Sequence, residues 1–424
     1  MIDIVLVSTP IATPNGVPPA GIFSLRSSLE KNGFTVVCID GNKFNSTIEI
    51  QIEIDKYEFK WLGISILTDR QIKQGLEIGA EYDNVIYGGP PVNWRWDDPD
   101  FIPKGHHYIK GEGEVAIVEF LKGNLKYPGI DGTDPIEIKD LNNLPPPDYS
   151  GHNYNTLILT GSRGCVRRCN FCNVYEIWKT FRYVDGEVLA KQMIEIVGSN
   201  KKKQIFFSDS LINGSDKHFK KMCNYLIENN HKIPWRAQFI IRKKPQDYFD
   251  MVAKAGAVSL HIGIESVSEK IRYDMNKRIT DIDMYDNIDG LLKAGIPKLV
   301  LMFIVGYHTE TEDDFNQTLY FMNRYKDHSN KILLSPSLMS FISGTPIQRE
   351  TEYNLYWFTH KDSTLPIRIK RYLKFLYWSE YFKYLSDAVL DVRINQAKEL
   401  VSENEWNDLY QQSITEAKHQ LSVI

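Results

Sequence analysis

Gly164-Cys165-Val166-Arg167-Arg168-Cys169-Asn170-Phe171-Cys172 carries three of the chain's five cysteines within eight residues, in the spacing C-x3-C-x2-C. The other two, Cys38 and Cys223, are distant in sequence, so no fourth thiol stands ready to close a site. Four thiolates complete a zinc or iron–sulfur site; three leave one metal position open to an outside ligand. The stretch therefore reads as reactive metal chemistry rather than a structural staple. A zinc ion completed by a distant histidine or by Cys223 is the alternative these residues leave open.

Outward from the cysteines, the 424 residues leave room for about two or three domains. A composition 42% hydrophobic and 25% charged is that of an ordinary globular protein. The net charge of −4 argues against a nucleic-acid or anionic-membrane surface. Lys201-Lys202-Lys203 and Lys243-Lys244 are short runs that suit solvated faces. Three clustered and two solitary cysteines are not a disulfide framework. Met1-Ile2-Asp3-Ile4-Val5-Leu6-Val7 has an acid and no basic region, so it reads as a first strand rather than a signal peptide. No run of about 18 apolar residues exists to span a bilayer, and a reducing cytoplasm is the expected location.

Residues 1–125 alternate short apolar runs (4–7, 35–39, 61–66, 85–87) with stretches of helical spacing (22–31, 71–81). That βαβ rhythm predicts an α/β, doubly wound Rossmann-like domain that binds ligands at the carboxyl ends of its strands. Residues 126–150, with Pro145-Pro146-Pro147, form a linker, because consecutive prolines suit neither helix nor central strand. A second βα series over 151–350 has strands at 156–160, 204–207, 235–240, 259–264, 299–305 and 333–335. Six such units predict a partial (β/α)6 TIM-type barrel, with its working loops at the strands' carboxyl ends. Residues 351–424 read as helical, with Tyr372, Phe375, Trp378 and Tyr381 in an aromatic stripe and a polar terminal helix over 396–424. Such a stripe is more often core than the cap of an apolar cavity.

The cysteine spacing, with aromatic Phe171 before the last thiol and a barrel strand ahead of the loop, resembles the radical S-adenosylmethionine (SAM) superfamily. The resemblance implies a [4Fe–4S] cluster on Cys165, Cys169 and Cys172, with SAM on the open iron and an external electron donor of flavodoxin or ferredoxin type. Phe206-Phe207-Ser208-Asp209-Ser210 resembles the family's strand ending in a polar pair above the cluster; the alternative is that Asp209 caps a helix. Gly263-Ile264-Glu265-Ser266 resembles a G-x-E-S strand end whose acid contacts SAM, and a carboxylate buried there needs a cationic or hydroxyl partner. Arg236 and Gln238 share one face of a barrel strand, where they reach SAM or substrate or brace the wall. Gly306-Tyr307-His308-Thr309-Glu310-Thr311 departs from the family's G-x-P-G-E-T turn, and its histidine reads as a solvated loop residue. Gly344-Thr345-Pro346 resembles the turn that closes the barrel.

The first domain resembles the cobalamin-binding domain of one radical-SAM subclass. Pro18-Pro19-Ala20-Gly21 precedes its first helix. Ser65-Ile66-Leu67 and Gly88-Gly89 match the S-x-L and G-G elements that hold the cobalamin nucleotide tail, and Gly111-Glu112-Gly113-Glu114 matches a run that often ends such domains. Ser8-Thr9-Pro10-Ile11-Ala12-Thr13-Pro14-Asn15-Gly16 lacks the D-x-H-x-x-G histidine of other cobalamin domains, and no histidine precedes His106. Cobalamin held here would have no histidine ligand from that loop; a domain that keeps the fold without the cofactor is the alternative. Trp94, Arg95 and Trp96 either wall the corrin or pack the domain. Together the resemblances imply a methyltransferase that abstracts hydrogen from an unactivated carbon of a small-molecule or peptide substrate with a 5′-deoxyadenosyl radical. Rearrangement, cyclisation or oxidation without cobalamin is the rival chemistry, and an iron–sulfur or zinc interaction module is the rival without chemistry.

Overall fold

The computed structural model describes residues 1–10, 17–92, 103–198, 203–340, 342, 345–350 and 364–423. Trp94, Arg95, Trp96, Gly344 and most of the first loop lie outside these residues. The chain divides into two compact units, residues 1–163, 182–208 and 220–234 in the first and 164–181, 209–219 and 235–424 in the second. Among the described residues no helix is long and apolar enough to cross a membrane.

In the first unit, β1 (Ile2–Ser8), β2 (Val36–Ile39), β3 (Phe59–Ser65), β4 (Val85–Gly88) and β5 (His107–Tyr108) form a parallel sheet in the order β2-β1-β3-β4-β5. Helices α1 (Ala20–Lys31), α2 (Thr47–Ile54), α3 (Ile72–Gly79) and α4 (Gly113–Leu121) alternate with them. Val5, Val7, Leu62, Ile64, Val85 and Tyr87 are buried in one cluster with Ile50, Ile54 and Ile78 of the helices. This order is flavodoxin-like, and its topological switch point, where ligands bind, lies between β1 and β3. The short β5 and helices α2 and α4 are additions to the expected pattern. In α2 isoleucine occupies every second position, a strand-like spacing, yet Ile50 and Ile54 are buried while Ile48 and Ile52 are 66% and 59% exposed. The Ser46 hydroxyl accepts the Glu49 N–H and starts the helix.

The second βα series opens in the first unit, where β6 (Thr156–Leu159) is followed by an antiparallel ladder of β7 (Ser162–Arg163) and β8 (Arg182–Tyr183). Short helix α5 (Val174–Ile177) lies between β7 and β8 in the chain, and α6 (Gly186–Val197) leads to β9 (Gln204–Phe207), which pairs in parallel with β6. After α7 (Asp216–Glu228), the second unit contains β10 (Trp235–Gln238), α8 (Gln246–Lys254), β11 (Ala257–Glu265), α9 (Glu269–Asp274), α10 (Asp281–Lys293), β12 (Lys298–Val305), α11 (Glu312–Arg324) and β13 (Ile332–Leu338). Strands β10 to β13 pair in sequence, all parallel. Their side chains alternate: Leu260, Ile262, Leu299, Leu301 and Phe303 are buried on one face, and Arg236, Gln238, His261 and Met302 are half-buried on the other.

Helices α12 (Pro346–Glu350), α13 (Leu365–Tyr381), α14 (Asp387–Lys398) and α15 (Glu403–Leu421) complete the second unit. The expected terminal helix over 396–424 is instead two helices, because the Ser402 hydroxyl and the Glu405 carboxylate form a capping box that starts α15 afresh. The aromatic stripe is core: Tyr372, Phe375 and Trp378 are at most 3% exposed, and Trp378 stacks on Phe315 at 5.1 Å. Tyr381, 60% exposed, falls outside it.

Candidate metal and cofactor site

The cysteine loop, in the second unit, begins at Gly164 with φ +83°, where any Cβ would collide with the Thr180 carbonyl. All three thiols are half-buried. The Arg167 N–H donates to Cys165 Sγ at 3.3 Å, and the Val174 N–H donates to Cys172. Burial pushes the Cys169 thiol up to about 11, while the Lys277 ammonium works in the opposite direction. Backbone N–H donors and a nearby cation are what a set of thiolates needs in a dry setting, so the donor set suits a thiolate-bound metal group. Among the described residues no three His, Cys, Asp or Glu side chains stand together as a single-ion site.

Asn170 anchors this loop on all sides. Its side-chain amide donates to Asp274 O at 2.9 Å and Tyr307 Oη at 2.8 Å, and its N–H donates to Met275 O at 3.1 Å. Its carbonyl accepts the Ile347 N–H at 3.0 Å. Phe171 is partly buried against a cluster of Ile271, Met275, Tyr307, Met339 and Ile347, which anchors the loop by packing. Asn276 donates to Arg168 O at 2.6 Å, and the Arg167 guanidinium donates to Arg278 O at 3.1 Å and Ile241 O at 3.2 Å.

Glu265 ends β11 in the left-handed region at φ +68°, next to a register shift between Gly263 and Glu265. Its Oε1 accepts from Lys277 Nζ at 2.8 Å, the cationic partner that a carboxylate at this strand end requires. Burial works to lower the Lys277 pKa, but Glu265 and then Cys169 outweigh it and leave it raised. Asp209 is buried and Ser210 half-buried, seven residues short of the first residue of α7, so Asp209 does not cap that helix. The segment after Asp209 is stitched to the end of β10: Ile212 N–H donates to Gln238 O at 2.9 Å, and the Asn213 amide donates to Ile240 O at 3.0 Å. Arg236 and Gln238 share the half-buried face, where burial lowers the Arg236 pKa; burial and then Arg236 lower that of His261. Asn170, Lys277 and Tyr307 were not marked by spacing; a lysine in a polar stretch reads as surface until the chain folds it inward.

The Gly306 turn, which lacks the family's proline and glycine, closes on Glu310. Gly306 has φ +80°, and its N–H donates to Glu310 Oε2 at 2.9 Å. His308 is exposed, as expected of a loop histidine. Burial pushes the Glu310 carboxyl up to about 7, against the pull of the Gly306 N–H and Arg371. The folded protein thus holds this proton more tightly than the unfolded chain, whose value is near 4.5, and stability falls as pH rises from about 4.5 to about 7. Glu310→Gln should remove that fall, on the order of 3 kcal/mol, in urea titrations of wild type and variant at pH 5 and pH 8.

In the first unit, Ser65, Gly88 and Gly89 sit at the carboxyl ends of β3 and β4, at and beside the switch point; Leu67 follows, 50% exposed. Ser65 Oγ faces Gly21, where a Cβ would lie 3.7 Å away, and a Cβ at Gly88 would meet only Ile109 O at 4.0 Å. Gly89, at φ +112°, admits no side chain, because a Cβ would strike the Ile66 carbonyl. A strand end with a hydroxyl and two glycines, open among the described residues, suits the buried tail of a large cofactor. Ser8 of the histidine-free loop instead accepts the Gly41 N–H at 3.0 Å. The acidic run is a clamp: Glu112 lies 2.9 Å from Arg163 Nη1 and 2.8 Å from Arg182 Nη1, and Glu114 also pairs with Arg163. Those arginines are β7–β8 partners, and residues 164–181 lie between them in the chain.

Residues 159–322 match the model of the Radical SAM superfamily. The chain is 22% identical over 344 residues to the anaerobic magnesium-protoporphyrin IX monomethyl ester cyclase of Rubrivivax gelatinosus, 71% of this chain and 61% of that protein. It therefore spans less than two thirds of that relative's length. Among solved structures, it superimposes on the cobalamin-dependent S-adenosylmethionine radical enzyme OxsB, bound to aqua-cobalamin and S-adenosylmethionine, with TM-score 0.73 and 17% identity over 99% of this chain and 72% of that one. It superimposes on the radical S-adenosylmethionine methyltransferase TsrM of Kitasatospora setae, with cobalamin and a [4Fe-4S] cluster bound, with TM-score 0.69 and 14% identity over 82% and 74%. These likenesses show a shared fold, the doubly wound domain followed by the partial barrel. The three-thiol loop lies inside the segment, residues 159–322, that matches the radical SAM superfamily.

Proposed function

We propose that this chain is a cobalamin-dependent radical SAM enzyme that transfers a methyl group to an unactivated carbon. The observation that carries the reading is the loop of three half-buried thiols, with N–H donors on two of them and a buried Glu265–Lys277 pair beside them. Cys165, Cys169 and Cys172 would hold a [4Fe–4S] cluster. Glu265, Asp209 and Ser210 would accept from the hydroxyls or amine of SAM, while Arg236 and Gln238 face its carboxylate or the substrate. Phe171 holds the loop that positions SAM. When bound, the cluster supplies the electron that cleaves SAM to a 5′-deoxyadenosyl radical, and cobalamin supplies the methyl group. Ser65, Leu67, Gly88 and Gly89 would receive the cobalamin tail at the switch point of residues 1–125, with 151–350 as the catalytic barrel. The relation to a methyltransferase and to a cobalamin- and SAM-bound enzyme of the same fold supports this assignment. The substrate is a small molecule or peptide, and the electron comes from a flavodoxin- or ferredoxin-type donor.

Anaerobic protein reconstituted with iron and sulfide, then given hydroxocobalamin, should show cluster and corrin absorbance together after desalting. Reduced and supplied with SAM and substrate, it should release both S-adenosylhomocysteine and 5′-deoxyadenosine. Deoxyadenosine without the homocysteine product, from protein that retains no corrin, would favour the rearrangement, cyclisation or oxidation chemistry instead.

A further inference from the structure

Lys277 is a buried cation directed at a carboxylate, and its charge acts on the thiols of the cysteine loop. Its side chain is 13% exposed and that of Glu265 10%, with 2.8 Å between Nζ and Oε1. The neighbouring cations are engaged elsewhere: Arg167 donates to two backbone carbonyls, and Arg168 lies 3.3 Å over the Tyr175 ring. The pair occupies the space a side chain at residue 263 would fill, since a Cβ on Gly263 would strike Glu265 Oε1 and come within 2.7 Å of Lys277 Nζ. Its backbone is held in an unusual shape, with Glu265, Asn276 and Arg278 all left-handed at φ +68°, +54° and +56°. Non-glycine residues adopt that region at a cost, and they keep it where surrounding contacts over-determine it. Here the contacts are those that tie residues 275–278 to the cysteine loop through Met275 O, Asn276 and Arg278 O.

We propose that Lys277 is the resident cation of the three-thiol site, held by Glu265 so that its fixed charge favours the one-electron-reduced state of a cluster bound by Cys165, Cys169 and Cys172. The proposal rests on the reading of those thiols as cluster ligands. Three thiolates already make the site anionic, and adding an electron makes it more so; a nearby buried cation stabilises the more negative state the more strongly of the two. Glu265 opposes this, but for both Cys169 and Cys172 the influence of Lys277 exceeds that of Glu265. No bond forms or breaks: one electron enters from an external reductant. Lys277 is thus a positioning and electrostatic residue, separate in role from the ligands.

The test is a redox titration of the reconstituted full-length protein, followed by electron paramagnetic resonance, on wild type, Lys277→Met and Lys277→Arg. Lys277→Met should bind the same iron and sulfide, but its ratio of reduced to oxidised cluster at a fixed potential should fall about tenfold, a midpoint lower by ~59 mV for one electron. Lys277→Arg should stay near wild type. A fully loaded Lys277→Met with the wild-type midpoint overturns the proposal. If Lys277→Met fails to load, Lys277→Arg decides: loading with the wild-type midpoint supports the role of charge, and failure to load or a lowered midpoint refutes it. Wild-type protein that binds no four-iron cluster overturns the underlying reading, and the proposal with it.

Discussion

Cys169→Ala protein, reconstituted anaerobically beside wild type, should lose the visible cluster absorbance and release no 5′-deoxyadenosine from SAM above background. Two thiols cannot hold a cubane that already lacks a fourth protein ligand, so the expected effect is complete rather than partial. The other cysteines cannot stand in. Burial pushes the Cys38 thiol up to about 12, and its Sγ lies 3.6 Å from Ile22 O. Cys223 is fully buried within α7, with its thiol pushed up by that burial. The loop itself should survive, because Asn170, Phe171 and Arg167 hold it without help from Cys169. Far-ultraviolet circular dichroism and the melting temperature of the apoprotein should therefore match wild type. A variant that keeps full cluster absorbance would overturn the three-thiol assignment and revive the interaction-module reading.

Arg272→Met should destabilise the apoprotein by about 3–5 kcal/mol, measured by urea unfolding. Arg272 is 0% exposed. Its Nε donates to Ile279 O at 2.9 Å, and Nη1 donates to Ser266 O at 2.8 Å and Val267 O at 2.7 Å. Nη2 donates to Asp281 Oδ1 at 2.5 Å. Methionine fills much of the volume but leaves three carbonyls without these donors, and unmet buried acceptors dominate the cost. Arg272→Lys should lose most of the same stability, because a single ammonium cannot reproduce the planar fork. Since Ser266 and Val267 directly follow Glu265, SAM affinity of any folded variant should fall with stability. A loss below about 1 kcal/mol would show that the segment after β11 is held by something other than this arginine.

How far the sequence carries is visible in particular elements. β1, β3 and β4 were legible because buried parallel strands are short apolar runs. Helix α2 was not, because isoleucine at every second position also places Ile50 and Ile54 four apart, and the Ser46 cap rather than periodicity decides between the two. The break before α15 turns likewise on the Ser402 capping box, a local hydrogen-bond event inside a polar stretch.

The same division runs through the site. Cys165, Cys169 and Cys172 were readable since three ligands on one loop are local in sequence, and Glu265 was readable as an acid that closes an apolar strand. What the sequence determined by itself was therefore the donor set, the βα order and the carboxyl ends at which Ser65, Gly88 and Glu265 stand. Only the tertiary structure decided which groups serve them. Lys277 meets Glu265 across a 12-residue separation, Asn170 reaches Tyr307 across 137, and the acidic run Glu112 to Glu114 turned out to clamp Arg163 and Arg182. The Glu265–Lys277 pair depends on left-handed backbone at Glu265, Asn276 and Arg278 and on the empty place at Gly263, and no linear spacing encodes it.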